Sequence, residues 1–365
     1  MTTNLDAVFS SWPAQPWLAA ILALAAAVYA RGWFSLRRRD ARRWNAWQPA
    51  AFLGGLFTIY LALASPIEAF APLLLQVHML QHLLLMMVAP LLLWLGAPMF
   101  PLLRGLPSEV RRYWIAPLFH WRPLRRIASV LTHPAAALMI SVTITWLWHL
   151  PSTYNTALAD DTLHKLQHFC FLTAGLLFWY PVVRPYPARP RWSPWWLVPF
   201  LLLADVQNTL LSAWLTFSDS VLYAHYSSMP RLGGLTALDD QAAAGVLMWV
   251  PGSVAFLLPL VWIGVRLVQG RQTAGGSRQA EGGRKSPAHR LTRSPVHVAI
   301  PHSPFPIPHF DLLRLPLFGP ILRSNWTRRV VQFAVLLVVI AVVIDGLGGP
   351  QIGPMNLAGV VPWIH

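Results

Sequence analysis

Residues 71–97 read APLLLQVHMLQHLLLMMVAPLLLWLGA, an apolar run long enough to cross hydrocarbon as a helix, for which about 20 residues suffice. Runs of this kind recur along the chain, roughly at 17–36, 48–65, 71–97, 133–150, 163–183, 195–217, 241–268 and 329–347. They are too long and too uniformly apolar for barrel strands, whose residues alternate in polarity. Apolar residues make up 55% of the 365-residue chain and charged residues only 11%, and many of its 19 tryptophans sit at the ends of apolar runs. The expected fold is therefore an all-α polytopic membrane protein: a seven-helix transmembrane core plus one additional C-terminal transmembrane helix. Pro90 interrupts the third run and is expected to bend it, because proline removes an intrahelical hydrogen bond.

Lysine and arginine exceed acidic residues by 15. In a soluble chain this would suggest nucleic acid; here no nucleic-acid partner is needed, because the arginines cluster beside apolar spans. RGWFSLRRRDARRW (31–44) after the first span carries six arginines, and the connections after the third, fifth and seventh spans are also basic. The alternate connections carry Glu68, Asp160, Asp161, Asp219, Asp239 and Asp240, diluted only by Lys165 and Arg231. The positive-inside rule then puts the arginine loops in the cytoplasm and both termini outside, with the lipid bilayer as the solvent of the core. Residues 1–16 lack a basic start and a small-residue cleavage site, so no removable signal peptide is expected. The single cysteine, Cys170, lies in an apolar run and offers neither a disulfide nor a thiolate cluster.

Three regions are expected: a seven-span core over 1–270, a cytoplasmic Gly/Pro-rich linker and pre-membrane segment over 271–328, and a C-terminal anchor with a short outer tail over 329–365. His297, His302 and His309 in the proline-rich linker are expected to be solvated.

Orientation turns scattered histidines into a pattern. The third span enters from outside, so His78 and His82 lie in its outer half. The fourth leaves at WLWHLP (146–151), which puts His149 at the outer boundary. The fifth begins with DDTLHKLQH (160–168), which puts His164 and His168 in its first outer turns. Residues four apart share a helix face, so both pairs can point into the bundle. Ionisable groups at membrane depth normally face the interior and mark function. Met86 continues the His78/His82 stripe one turn deeper. Histidine with thioether and no thiolate suits copper, Cu(I) above all. Two other readings stay open: haem held by two axial histidines, with Trp146, Trp148 and Phe169 walling the macrocycle, and plain hydrogen bonds bridging helices. His120 and His133 fall on the cytoplasmic side and join nothing.

Among other polar groups, Asp205 in the middle of the sixth span is expected to orient neighbours rather than bind a ligand, and Met248 is a secondary thioether candidate. Tyr223, His225 and Tyr226 are placed to form a lip over the site. The chain has no Gly-rich phosphate loop, no HExxH and no catalytic triad, so no bond-breaking chemistry is signalled.

The stretches HMLQHLLLMMVAPLLLWLGAP (78–98), WLWHLPSTYNTAL (146–158), LHKLQHFCFLTAGLLFWYPV (163–182) and LTALDDQAAAGVLMWVPG (235–252), in this order, resemble the motifs of the multi-spanning CtaG-type cytochrome c oxidase assembly factors. The resemblance covers about residues 50–268. It implies a non-enzymatic protein of the bacterial cytoplasmic membrane that helps build a terminal oxidase, working with oxidase subunits at the step that supplies copper. It carries the family's motif positions onto His78, His82, His149, His164 and His168, and onto Asp240, Gln241, Met248 and Trp249. Oxidase copper centres lie toward the outer side, where the histidine layer is expected.

Overall fold

In the computed structural model, Trp12 and residues 15–188, 193–230 and 234–282 are described. The chain is a bundle of helices, and no strand occurs among the described residues. Among the described residues, six helices are long and apolar enough to cross a membrane, or seven if one bent pair counts as a single span. The principal elements are α1 (Pro16–Arg37), α2 (Trp47–Ala64), α3 (Leu75–Leu95), α4 (Arg122–Leu131), α5 (Pro134–His149), α6 (Pro151–Ala159), α7 (Asp161–Val183), α8 (Leu197–Thr216) and α9 (Ala237–Gly282). The expected span at 329–347 and the tail after it lie outside the described residues. The α9 helix continues to Gly282, into the segment that composition reads as the start of the linker.

The pattern of burial is that of a protein solvated by lipid. Leucine, isoleucine and phenylalanine are exposed along the helices, including Ile21, Leu24, Leu203 and Leu258, while histidines, Gln81, Gln167 and Asn208 are buried. Polar groups collect inside because hydrocarbon offers them no partners. Small residues bring the helices together. A Cβ on Gly32 of α1 would stand 1.8 Å from the Pro101 carbonyl oxygen, and one on Gly105 would stand 1.8 Å from that of Val28. The short helix Met99–Gly105 thus crosses α1 backbone to backbone. Between α8 and α9 the Asn208 amide donates to the Met248 carbonyl at 3.2 Å and leaves no room for a side chain at Gly252.

The fourth expected span departs from a plain crossing. α5 has 16 residues, about 24 Å of helix at 1.5 Å per residue, short of a hydrocarbon core of about 30 Å. It meets α4 at a 70° bend. In α4, Arg122, Arg125 and Arg126 are interspersed with exposed Leu124, Ile127 and Val130, a pattern suited to lying along an interface rather than crossing it.

The bend expected at Pro90 takes a specific form. Proline cannot donate to the Met86 carbonyl four residues back, and the turn before it, Leu84–Val88, widens to a π-helix closed by the Ala89 N–H on the Leu84 carbonyl. The Trp179 indole of α7 supplies the missing donor, at 3.2 Å from the Met86 oxygen. One turn further on, the Trp94 indole donates to the Leu176 carbonyl at 2.8 Å. Gly175 lets the two backbones approach, since a Cβ there would be 2.4 Å from the Met86 oxygen. These contacts fix α3 against α7 just below the two histidine pairs.

Candidate metal centre

Helices α3 and α7 start at the same end of the bundle and carry the same five-residue frame, H-x-L-Q-H, at 78–82 and 164–168. The four histidines form two tiers. His78 and His164 have ring centroids 5.0 Å apart, and His82 and His168 lie 5.7 Å apart. Within a helix the rings are 4.3 Å apart in both cases. His149, the last residue of α5, reaches His82 at 6.0 Å. Thus the five histidines singled out from the sequence meet at one place. His78, His82, His149 and His168 are buried to 6% exposure or less, and His164 is partly open. Nitrogens of His78, His82 and His168 all lie within 4.8 Å of one another.

The hydrogen bonds assign tautomers. Burial pushes the Tyr223 and Tyr226 hydroxyls upward from their ordinary range, so both keep their protons. Tyr226 donates to the Ala71 carbonyl at 3.0 Å, so its oxygen is left to accept from His78 Nδ1–H at 2.9 Å. Tyr154 also lies 2.9 Å from that nitrogen. The lone pair of His78 therefore sits on Nε2, which faces His164 Nε2 at 3.3 Å. Two nitrogens on one tetrahedral ion with bonds of about 2.0–2.1 Å would be separated by nearly the same distance, roughly 3.3–3.4 Å. In His149, Nδ1 lies 2.6 Å from the Thr145 carbonyl, which can only accept, so its lone pair too is on Nε2. That nitrogen has no partner, and neither do His168 Nε2 or both ring nitrogens of His82.

Met86 does not simply extend the histidine stripe, because the π-turn intervenes. Its sulfur accepts from the Thr145 hydroxyl at 3.6 Å, and the residue lines a cavity of about 10 Å³ with Met87, Ser141 and Gln207. Met248 packs in a buried cluster with Met79, Leu211 and the three tyrosines. Asp240 stands at the start of α3, accepting from the Leu75 and Gln76 N–H groups at 2.7 and 3.1 Å. A carboxylate there complements the helix dipole and holds the histidine helix in place. Gln241 ties down the connection after α8 by accepting from Leu222 N–H at 2.7 Å and donating to the Ser220 carbonyl at 3.1 Å.

The expected lip closes over His78. Besides the Tyr226 bond, Tyr223 donates to the His149 carbonyl at 2.9 Å and His225 Nε2 to the Pro72 carbonyl at 3.0 Å. Asp205 and Gln207 lie on α8, each with a buried side-chain oxygen lacking a partner. His133 accepts from Ala135 N–H at the start of α5 at 3.2 Å, and His120 is exposed. His297, His302 and His309 lie outside the described residues.

Two of the suggested macrocycle walls have other surroundings. Phe169 is 65% exposed, and Trp146 stacks on Trp214 of α8. Phe171 packs against the cluster, 4.4 Å from the His82 ring and 5.7 Å from His149, and Tyr154 lies 5.2 Å from the His78 ring. The spacing carried this signal: Phe169 is one residue from His168 and therefore off its face, whereas Phe171 is three away and on it. Sequence reasoning passed over Tyr154 and Thr145, and took Gln81 and Gln167 only as adjacent hydrogen-bond partners for bridging histidines. The repeated H-x-L-Q-H frame was the available cue for the glutamines. Gln81 donates to Glu68 and to the Ala62 carbonyl, and its oxygen lacks a partner, as do both amide atoms of the fully buried Gln167.

Among known proteins, uncharacterized proteins from Mycobacterium bovis and Mycobacterium tuberculosis are each 27% identical over 256 residues, covering 66% of this chain and 36% of their own length. An uncharacterized protein from Mycobacterium leprae is 23% identical over 266 residues, covering 71% of this chain and 40% of its own. The chain thus spans well under half the length of these curated relatives. No solved structure matches. The family described as cytochrome c oxidase caa3 assembly factor matches residues 27–270, the stretch that holds all five histidines and their supports. With that match over most of its length, the chain belongs to the cytochrome c oxidase caa3 assembly factors.

Proposed function

We propose that this assembly factor binds copper(I) in its histidine cluster and serves the metallation of a terminal oxidase subunit, without catalysing a reaction of its own. The observation that carries the reading is the set of buried imidazole nitrogens without partners: both of His82, and Nε2 of His149 and His168. An unsatisfied buried polar atom costs about 1–3 kcal/mol, and a cation that takes several lone pairs at once removes that cost. The donors are neutral imidazoles, with the Met86 thioether nearby. A monovalent ion suits such a set in a dry interior, because the desolvation of an ion grows with the square of its charge. Histidine and methionine together favour copper. His78, His82, His164 and His168 are the first candidates for ligands, His149 is next, and Met86 is auxiliary.

Crowding weighs against haem. Tyr154, Phe171 and the neighbouring imidazoles occupy the space that a macrocycle between two axial histidines would need. Several apolar helices indicate a multi-pass membrane protein. The proposal adds that the membrane is the bacterial cytoplasmic one and that the arginine loops face the cytoplasm. The histidines then lie toward the outer side, where an oxidase subunit would collect copper.

Metal analysis of the purified chain, with His82→Ala and His168→Ala variants, tests this. The expectation is copper in the parent, its loss in both variants, and failure of oxidase maturation with them. A Soret band on purification would replace copper by haem. Variants that retain both metal content and oxidase maturation would reduce the histidines to helix-bridging groups in a scaffold.

A further inference from the structure

Resting on the reading of the cluster as a copper site, we propose that it is a path with two positions. An ion is received at an outer position made by His164, His78 and His168. It then passes to an inner position made by His82 and His149, and leaves by the same route.

The ring contacts put His164 and His149 at opposite ends of the cluster. His164 meets His78 at 5.0 Å and His168 at 4.3 Å. His82 links the two groups, at 4.3 Å from His78 and 5.7 Å from His168. Among the five histidines, His149 meets only His82, at 6.0 Å. Two imidazoles on one ion keep their ring centres within about 6.4 Å, twice the roughly 3.2 Å from ion to ring centre when the bond is about 2.0–2.1 Å. Each neighbouring pair satisfies that limit, whereas the two ends, His164 and His149, are not in ring contact. Five imidazoles also exceed the four ligands of a tetrahedral ion. Two cations held this close in a dry interior would repel strongly, so one ion moves between the positions.

The cover determines which end is open. The turn Ala224–Ser227 and its neighbours are clasped over His78 by Tyr223, His225 and Tyr226, which bond to three different backbone carbonyls. His82, His149 and His168 are buried. His164, in the first turn of α7, is the partly open member, beside exposed Asp161 and Lys165. An ion therefore meets His164 first.

Each step makes one copper–nitrogen bond as another breaks. Copper stays Cu(I) throughout and no electron moves. His164 Nε2 carries a hydrogen toward His78 Nε2 before the ion arrives. When Nε2 takes the ion, that proton moves to Nδ1 of the same ring, and it returns when the ion leaves.

The test uses the full chain purified in detergent, loaded with copper(I) and mixed rapidly with a copper(I) chelator. His164→Ala is expected to slow both loading and release by about tenfold or more, the scale seen when a group supporting a metal site is lost, and free imidazole is expected to restore both rates. His149→Ala is expected to speed release, because it confines the ion to the outer position. If alanine at 164 does not fold, His164→Gln takes its place in the same experiment. Faster release from the His164 variant would make this residue an ordinary holding ligand and overturn the path, as would unchanged release from His149→Ala. A parent chain that takes up no copper overturns the copper reading itself, and the path with it.

Discussion

Replacing Gly175 by alanine should weaken copper binding without removing any candidate ligand. The added methyl would stand 2.4 Å from the Met86 carbonyl oxygen and 2.7 Å from Pro90 Cγ. Ordinary contacts lie near 3.5 Å, so α7 has to retreat from α3 by roughly 1 Å. Neither neighbour yields easily. The Met86 carbonyl belongs to the π-turn and already accepts from Trp179, and Pro90 is a rigid ring in a buried helix. Overpacking of this kind costs about 1–3 kcal/mol of stability. The same retreat carries His164 and His168 away from His78 and His82, where opposing Nε2 atoms of the outer tier stand 3.3 Å apart, near the edge of a tetrahedral site. Loss of that spacing is expected to lower copper(I) affinity by about 10–100-fold, the range for disturbed support around a metal. Competition against a copper(I) chelator measures the affinity, and thermal unfolding in detergent measures the stability. Gly54→Ala is the control. Its methyl meets only Leu92 Cδ1, at 3.6 Å, and the exchange should stay within about 0.5 kcal/mol with copper unaffected. A folded Gly175→Ala protein with the affinity of the parent would refute the idea that the α3–α7 approach sets the site.

Other outcomes follow from individual bonds. Tyr226→Phe removes the acceptor that holds His78 in its Nδ1–H form, and copper affinity should fall about 10–100-fold. Tyr29→Phe, which loses a bond to the Gly96 carbonyl far from the cluster, should cost about 1 kcal/mol of stability and leave copper binding alone. Asp240→Asn keeps the size of the cap on α3 but removes its charge; unfolding should show a loss of about 1–2 kcal/mol. Silver(I) should compete with copper(I) for the purified chain and zinc(II) should not, since a buried set of neutral donors disfavours the second charge; isothermal titration with each ion decides this.

Much of the architecture was legible along the chain. Apolar runs mark the helices because hydrocarbon obliges every backbone group to bond within its own segment. The six long helices begin and end close to the expected positions, from Pro16–Arg37 to Ala237–Arg266. The segment 98–132 was harder. Its arginines signal a connection, and its helical pieces, including α4, emerge only as a chain that bends 70° into α5. Histidine spacing placed two pairs on two helix faces. Which aromatic residue backs them depended on whether one counted one residue or three from His168.

The sequence by itself determined the class of protein, the approximate helix limits and the two H-x-L-Q-H frames, because hydrophobic length and i, i+4 spacing are properties of one segment. Only the tertiary structure decided that α3 and α7 lie side by side with their frames in register, that Met86 turns its sulfur to Thr145, and that Tyr154 and Tyr226 assign the lone pair of His78. How a helix is rotated about its axis depends on what packs against it. Here Trp179, Gly175 and Asp240, all remote in sequence from the histidines of α3, supply those contacts.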